Sequence, residues 1–195
     1  ANKVLANMCQ FEAKAFPTSY IPTTSGTAPR YADLCSITGS AFTNFYNQTE
    51  GSFAASVIFN TPIANATGQL VFDVSNETLN NRTRVGRSPT TAFSVTVNTS
   101  GGSLDVAISG STAMEANAVK KLSACMKAND FAAYLNGVSQ GVDTTAAMPL
   151  SLTTLTIGDI FTANPVRNSL NGCISSIKYY KKRLTNAKLQ SLTAP

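Results

Sequence analysis

A chain of 195 residues, of which 43% are hydrophobic and 13% charged, suits one domain with a sizeable core. The formal net charge is +5, but the basic residues are scattered and accompany no zinc module or aromatic-basic motif, which argues against nucleic-acid binding. The absence of histidine excludes Ser-His and Cys-His catalytic centres, and no apolar run reaches the ~18 residues of a membrane-spanning helix.

The first part of the chain has the character of an extended connector. Residues 10–38 read QFEAKAFPTSYIPTTSGTAPRYADLCSIT. The three prolines in this stretch disfavour a helix and favour polyproline-like or edge conformations. We therefore expect residues 1–34 to form a connector with the remnant of a preceding module, and residues 35–195 to form the folded domain.

In the first half of this domain, apolar residues alternate with smaller or polar ones. This period of two is typical of antiparallel strands with one buried face. Four such sets are expected to point inward: Phe53, Ala55, Val57 and Phe59; Leu70, Phe72 and Val74; Phe93, Val95 and Val97; and Leu104, Val106 and Ile108. Turn residues separate the sets, as expected for strands joined by short loops.

The second half adds strands over Val119–Met126, Phe131–Leu135 and Leu152–Ile157. The dipeptide Asn136-Gly137 predicts a tight turn after the second of these. Short strands without a central helical pattern favour an all-β fold, a two-sheet antiparallel β-sandwich.

The chain closes with a strand and a short helix. Ile174, Ile177 and Tyr179 give an apolar, β-branched and aromatic run of strand character. Thr185 is a suitable N-cap for a helix that carries Leu189 on its apolar side. We therefore expect a short C-terminal helix docked on the sandwich.

The closing residues carry a resemblance to a known family. Residues 172–193 read GCISSIKYYKKRLTNAKLQSLT. They resemble the closing segment of concanavalin A-like, laminin-G-like domains, especially those of bacteriophage tail fibre and tailspike proteins. Residues 131–137 (FAAYLNG) resemble the hairpin of these domains, and PTSYIPT resembles a connector of phage tail proteins. Lys181 and Lys188 depart from the family pattern, which has proline and an acidic residue there.

The resemblance implies a concanavalin A-like jelly roll and a non-catalytic virion domain. Such a domain of a tail fibre or other external component recognises host-cell polysaccharide or lipopolysaccharide during attachment, usually as a homotrimer with other virion proteins. Catalytic members of the superfamily carry an E-x-D-x-E motif on one strand, and this sequence has none. Two alternatives stay open: a purely structural virion module such as a head-decoration protein, and an accessory domain of a polysaccharide depolymerase.

Glycan binding calls for an aromatic platform beside oriented hydrogen-bonding groups. Tryptophan is absent, so tyrosines are the candidate platforms. The candidate ligand-binding residues are Asn44, Tyr46, Tyr134, Asn164 and Tyr180. Burial in a face of the sandwich is the competing interpretation for each tyrosine.

Calcium is the candidate cofactor, because the resemblance implies a family that often binds one Ca²⁺ at the rim of the sandwich. Asp130, Asp143 and Asp159 lie in or beside predicted loops and are the candidate ligands. The four cysteines are far apart and lack metal-site spacing. A disulfide between Cys125 and Cys173 stays open.

Overall fold

The structure is a computed structural model, which describes residues 20–23, 26–28, 35–60, 68–89, 93–99, 104–110, 112, 114–160 and 168–195. The chain divides into two compact units, Ala1–Asp33 and Leu34–Pro195. Every helix and strand described below belongs to the second unit. Because most of the first unit lies outside the described residues, its role as a connector stays a prediction.

Within these residues the chain forms eleven strands and two helices. In chain order they are β1 (Cys35–Ile37), α1 (Gly39–Phe45), β2 (Glu50–Phe59), β3 (Gln69–Ser75), β4 (Arg82–Arg87), β5 (Ser94–Asn98), β6 (Leu104–Ser109), β7 (Val119–Lys127), β8 (Phe131–Leu135), β9 (Val138–Asp143), β10 (Thr154–Ile157), β11 (Gly172–Tyr180) and α2 (Asn186–Thr193).

The strands form two antiparallel sheets. One has six strands in the order β1-β10-β3-β4-β5-β6, and the other has five in the order β11-β2-β7-β8-β9. Their inner faces share one hydrophobic core. The predicted fold class, a two-sheet antiparallel sandwich with a short C-terminal helix, is confirmed.

Most members of the predicted inward sets lie in the main core, and two are exceptions. The four apolar residues of β2 lie in the core, as do Phe72 and Val74 of β3. Leu70 instead packs with Ile160 in a separate cluster, because the register shifts between Leu70 and Phe72. Leu104 is 55% exposed at the start of the edge strand β6. The predictions of an inward Leu70 and an inward Leu104 are therefore wrong.

The closing helix forms as the sequence predicts. The Thr185 hydroxyl accepts a hydrogen bond from the Lys188 amide at 3.3 Å and caps the first turn of α2. Leu189 is fully buried in a cluster with Cys125 and Tyr134 on the outer face of the five-stranded sheet. This contact fixes the helix over β7 and β8.

Helix α1 has no counterpart among the predicted elements. It spans only seven residues, too few to show a helical period. Phe42 and Phe45 come from this helix, and Tyr46 follows it. With Phe53 and Tyr179 these rings form one aromatic cluster at an end of the core.

Three further features of the fold were expected or tested from the sequence: a tight turn, a disulfide and a membrane-spanning helix. Asn136 and Gly137 both have positive φ, at 47° and 78°, so the predicted tight turn is confirmed. The thiols of Cys35, Cys125 and Cys173 are free, which excludes a Cys125–Cys173 disulfide. Among the described residues, no helix combines the length and apolar character needed to cross a bilayer.

Candidate functional site

Strand β4 carries three arginines, and the side chains of two of them are buried and bonded to neighbouring residues. The guanidinium of Arg87 lies 4.7 Å from the centre of the Phe59 ring and donates to Oε1 of Gln69 at 3.1 Å. Arg82 lies on the outer face of the sheet and pairs with Asp73, with 2.8 Å between Nη2 and Oδ1. Both side chains of this pair are buried. Neither arginine therefore offers its charge to solvent.

The third arginine, Arg84, is only half-buried. Its Nε donates to Oγ1 of Thr96 on β5 at 2.5 Å, which fixes the guanidinium on the outer face of the sheet. Burial, followed by the positive charge of Arg82, lowers the pKa of Arg84, and Asp73 partly opposes this shift. No described residue accepts a hydrogen bond from its two terminal nitrogens. Arg84 thus holds a positioned charge that lacks a full set of partners.

Arg84 lines a cavity of about 200 Å³, which we call the Arg84 cavity. Its floor is the outer face of β3, β4 and β5, and its wall is the loop that follows β4 together with Asn168. The lining residues are Gly68, Leu70, Arg84, Gly86, Arg87, Ser88, Pro89, Ser94, Thr96 and Asn168. No aspartate or glutamate is among these described lining residues.

Gly86 lies in the floor of the cavity and allows β3 and β4 to approach each other closely. A Cβ at this position would lie 2.1 Å from the backbone oxygen of Gln69 and 2.8 Å from Cα of Leu70. Any side chain would therefore displace β3 at its register shift between Leu70 and Phe72. The same backbone irregularity brings Leu70 into the lining of the cavity.

The lining of the Arg84 cavity suits a small polar anion. A guanidinium presents its terminal N–H groups as a fork that matches a carboxylate. The hydroxyls of Ser88, Ser94 and Thr96 and the amide of Asn168 add donors and acceptors around it. The ring of Pro89 adds an apolar edge. This is the mixture of groups that binds a polar ligand with an apolar face.

The candidate residues from the sequence lie in other places. Tyr46 is 8% exposed and stacks between Phe42 and Tyr179, with ring centres 4.8 and 5.4 Å away. Burial also raises the pKa of its hydroxyl. Both faces of the ring are covered, so burial in the sandwich, the competing interpretation, describes Tyr46. Asn44 is exposed nearby, and its backbone oxygen accepts from Lys181 Nζ at 2.8 Å.

The other two described candidates are also separated from the Arg84 cavity. Tyr134 is 8% exposed beneath α2, where it packs with Leu189. Tyr180 is half-buried and pairs with Ser52 at an end of β11. Asn164 lies outside the described residues. The set is therefore spread over separate clusters instead of forming one aromatic platform, and its role in binding stays a prediction.

The three candidate calcium ligands have separate partners. Asp130 pairs with Arg183 at 2.6 Å, and Asp143 accepts from backbone amides within its own turn. Asp159 is buried and accepts from the Ser169 hydroxyl at 2.7 Å. Among the described residues, no group of three His, Cys, Asp or Glu side chains could hold a metal ion. The structure thus does not bring Asp130, Asp143 and Asp159 together as one calcium site.

The sequence does not predict the Arg84 cavity, although it indicates one part of it. Alternation along RTRVGR places Arg82 and Arg84 on the same face of a strand. The scattered positive charge of the chain does not by itself distinguish these two arginines from the other basic residues. The sheet register places Asp73 opposite Arg84, but the Asp73 carboxylate bonds to Arg82. Which of the two arginines is paired therefore follows only from the side-chain positions in the structure.

No protein-family profile and no curated protein matches this sequence. Solved structures do match it. One is the CBM40 carbohydrate-binding module of Ruminococcus gnavus IT-sialidase, bound to α2,3-sialyllactose, with a TM-score of 0.69 and 11% identity. The match covers 84% of this chain and 97% of the module. The chain shares the fold of this carbohydrate-binding module.

Larger proteins contain the same fold. The NanB sialidase of Streptococcus pneumoniae matches with a TM-score of 0.66 and 14% identity over 80% of this chain, which spans only 26% of that protein. Botulinum neurotoxin type C, in a structure concerned with its cell entry through two ganglioside molecules, matches with a TM-score of 0.61 and 12% identity. That match covers 81% of this chain and 38% of the toxin chain. Identities this low show a common fold and nothing further.

Proposed function

We propose that this chain is a non-catalytic glycan-binding domain, and that the Arg84 cavity binds the carboxylate of an acidic sugar. The observation that carries the proposal is the guanidinium of Arg84, which Thr96 holds at a cavity that no described acidic residue lines. An arginine stays protonated at neutral pH. The cavity is therefore positively charged where a ligand would enter.

A carboxylate in this cavity would remove an energetic cost that the unliganded protein carries. Burial and the charge of Arg82 disfavour the charged form of Arg84 and lower its pKa. A bound anion compensates for both effects and forms charge-assisted hydrogen bonds, which are about twice as strong as neutral ones. The half-buried position strengthens this attraction relative to a fully exposed arginine. We therefore expect an acidic glycan to be preferred over its neutral counterpart.

The structural comparisons support the ligand class. The similar module of IT-sialidase was solved with sialyllactose, whose terminal sugar carries a carboxylate. The similar neurotoxin is described as interacting with gangliosides. Carbohydrate ligands on this sandwich are thus compatible with the acidic sugar proposed here.

We further propose that the domain belongs to a bacteriophage tail fibre or tailspike and contacts host polysaccharide or lipopolysaccharide as a homotrimer. The support is the resemblance of the closing segment and of the PTSYIPT connector to phage tail proteins. A fibre domain at the virion surface needs a glycan site but no catalytic centre. The Arg84 cavity meets that need on the outer face of a sheet.

An accessory module of a larger glycan-degrading protein is a second candidate function. The observation that favours it is the share of NanB sialidase, 26%, that this chain matches. The sequence of the complete reading frame tests it. A β-helix with paired carboxylates encoded upstream would favour a depolymerase, whereas further fibre segments would favour attachment alone.

A glycan array tests the proposed function. We expect the chain to bind acidic glycans, and Arg84→Ala to reduce that binding at least tenfold. Lys182→Ala is the matched control, because it removes one exposed positive charge outside the cavity and should leave binding unchanged. Thermal unfolding of each variant verifies that it folds.

Three outcomes would contradict this assignment. Equal binding by the wild type and Arg84→Ala would exclude the cavity, and a response confined to neutral glycans would exclude a carboxylate ligand. The absence of any bound glycan would favour a purely structural virion module. Thr96→Val adds a finer test, since it releases Nε of Arg84 without removing the charge and should weaken binding several-fold.

A further inference from the structure

The outer face of the five-stranded sheet carries a second cavity, which is separate from the Arg84 cavity and which we call the lysine groove. It has a volume of about 200 Å³ and lies beside α2. Its principal lining residues are Ala54, Ser56, Lys121, Ser176, Lys178 and Ser191. No aspartate or glutamate is among the described residues that line it.

The groove exists because α2 covers only part of the sheet. Leu189 of α2 packs with Cys125 of β7 and Ala132 of β8. Strand β2 and the edge strand β11 extend beyond this contact. Small side chains, Ala54 and Ser56, face outward there and leave the space between the helix and β11 open.

Two lysines face this space from opposite sides of β2. Lys178 of β11 pairs with Ala54, and Lys121 of β7 pairs with Ser56. Two strand spacings and two residues along a strand put their Cα atoms ~12 Å apart. A lysine side chain extends ~6 Å from its Cα, so both ammonium groups can reach one ligand above β2.

The ammonium groups retain donor capacity. Lys121 Nζ donates to the backbone oxygen of Ala194 at 2.8 Å, which anchors it at the wall of the groove and leaves further N–H donors. Lys178 is exposed, and no described residue accepts a hydrogen bond from its Nζ. Serine hydroxyls from the sheet and from α2 surround these charges.

The two cavities differ in the anion that they suit. The planar fork of Arg84 matches a planar carboxylate. Ammonium groups are point charges without a preferred plane, and together with hydroxyl donors they suit a tetrahedral oxyanion. We infer that the lysine groove binds a phosphate or sulfate ester group carried by a carbohydrate.

This inference goes beyond the proposed function and rests on it only for the carbohydrate that carries the ester. The two cavities lie on different sheets of the sandwich. One domain could therefore contact two segments of an anionic polysaccharide. Two linked contacts raise the overall avidity above that of either site alone.

An amide NMR titration of the whole chain tests the lysine groove. The probes are glucose 6-phosphate, glucose 6-sulfate, inorganic phosphate and, as the neutral control, glucose. We expect the two esters to shift the amide signals of Ser56, Ser176 and Ser191, and glucose to shift none of them. An ester that binds more tightly than inorganic phosphate shows that the sugar contributes to binding.

Paired variants separate a specific site from general charge. Lys121→Gln with Lys178→Gln should weaken ester binding about tenfold, which corresponds to ~1.4 kcal/mol. The control pair, Lys182→Gln with Lys188→Gln, removes the same charge from exposed positions outside the groove and should have no effect. Arg84→Ala should also leave this binding intact, so failure of the Arg84 cavity and failure of the groove are distinguishable.

Three results would overturn the inference. Ester binding by the Lys121→Gln and Lys178→Gln double variant at wild-type affinity would exclude the groove. Signal shifts confined to residues outside it would also do so. Inorganic phosphate that binds as tightly as glucose 6-phosphate would exclude the carbohydrate as part of the ligand.

Discussion

Arg84 differs from the other arginines of β4 through its neighbours and not through its position in the strand. Arg82 has Asp73 beside it, and Arg87 has Gln69 and the Phe59 ring. Among the described residues, Arg84 donates to the neutral hydroxyl of Thr96, while the nearby Asp73 carboxylate bonds to Arg82. A neutral partner positions a guanidinium without neutralising it, and this is why Arg84 is the residue to which we assign ligand binding.

Single residues of the site were the hardest to predict from the sequence. Alternation predicts which face a residue occupies, but the irregularity between Leu70 and Phe72 breaks the period and shapes the Arg84 cavity. The burial of Tyr46 depends on α1, which the sequence pattern did not predict. An aromatic residue looks the same in the sequence whether its ring is a platform or part of a core.

The burial of the individual cysteines predicts how fast each thiol reacts. Cys125 is buried beneath α2, and burial raises the pKa of its thiol to about 11, whereas Cys35 and Cys173 are exposed. Because the thiolate is the reactive form, alkylation of Cys125 at pH 8 should be about a hundredfold slower than that of an ordinary exposed thiol. Peptide mapping by mass spectrometry after timed iodoacetamide treatment measures these rates. Equal rates at Cys125 and Cys173 would show that α2 does not protect the thiol.

At the scale of elements, α2 completes the outer face of the five-stranded sheet. Besides the contact of Leu189, its Thr193 hydroxyl accepts from the Gly137 amide at 3.1 Å, and Gln190 donates to the Gly137 oxygen at 3.0 Å. These bonds tie the helix to the turn between β8 and β9. The element also forms one wall of the lysine groove.

Removal of the apolar contact beneath α2 should destabilise the domain. Leu189 is fully buried, so Leu189→Ala should lower the free energy of unfolding by ~2 to ~5 kcal/mol. Leu79→Ala makes the same chemical change at a residue that is 53% exposed, and its effect should stay within ~0.5 kcal/mol. Urea unfolding followed by circular dichroism measures both values. A similar loss in the two variants would mean that α2 does not depend on Leu189.

Elements with a strong local pattern were predictable, and short or polar ones were not. Strand β8 follows from its apolar run and from the turn residues Asn136-Gly137, and the capped helix α2 follows from Thr185. Strand β4 reads RTRVGR and lacks an apolar face of its own. Its inward positions are Thr83, Val85 and Arg87, and of these only Val85 is apolar. It is a strand because β3 and β5 pair with it on both sides.

The whole molecule is a sandwich whose two outer faces carry different cationic cavities. The alternation of apolar and polar residues in several strands predicts this architecture, because the apolar face of each sheet needs a second sheet to cover it. The low identity to solved carbohydrate-binding modules, 11% for the IT-sialidase module, shows how little of the sequence that architecture dictates. The residues that bind a ligand can vary while the fold stays the same, so the fold alone does not identify them.

Stability of the whole domain should fall at alkaline pH. Burial raises the pKa of Cys125 from 9.0 to about 11, and it also raises the pKa of Tyr46 and Tyr179 above their ordinary values. The unfolded chain therefore loses these protons first, so stability is full below about pH 9 and declines as the pH rises through about 11. Urea midpoints between pH 7 and 11 measure this trend, and Tyr46→Phe should make it shallower. A midpoint that rises with pH in this window would contradict the burial of these groups.

The decisive experiment for the Arg84 cavity is a crystal structure of the chain with an acidic oligosaccharide selected on the glycan array. We expect the sugar in the Arg84 cavity, with a carboxylate oxygen ~2.8 Å from a terminal nitrogen of Arg84 and hydroxyls near Ser94 and Asn168. A carboxylate bound elsewhere, with the Arg84 cavity empty, would contradict it.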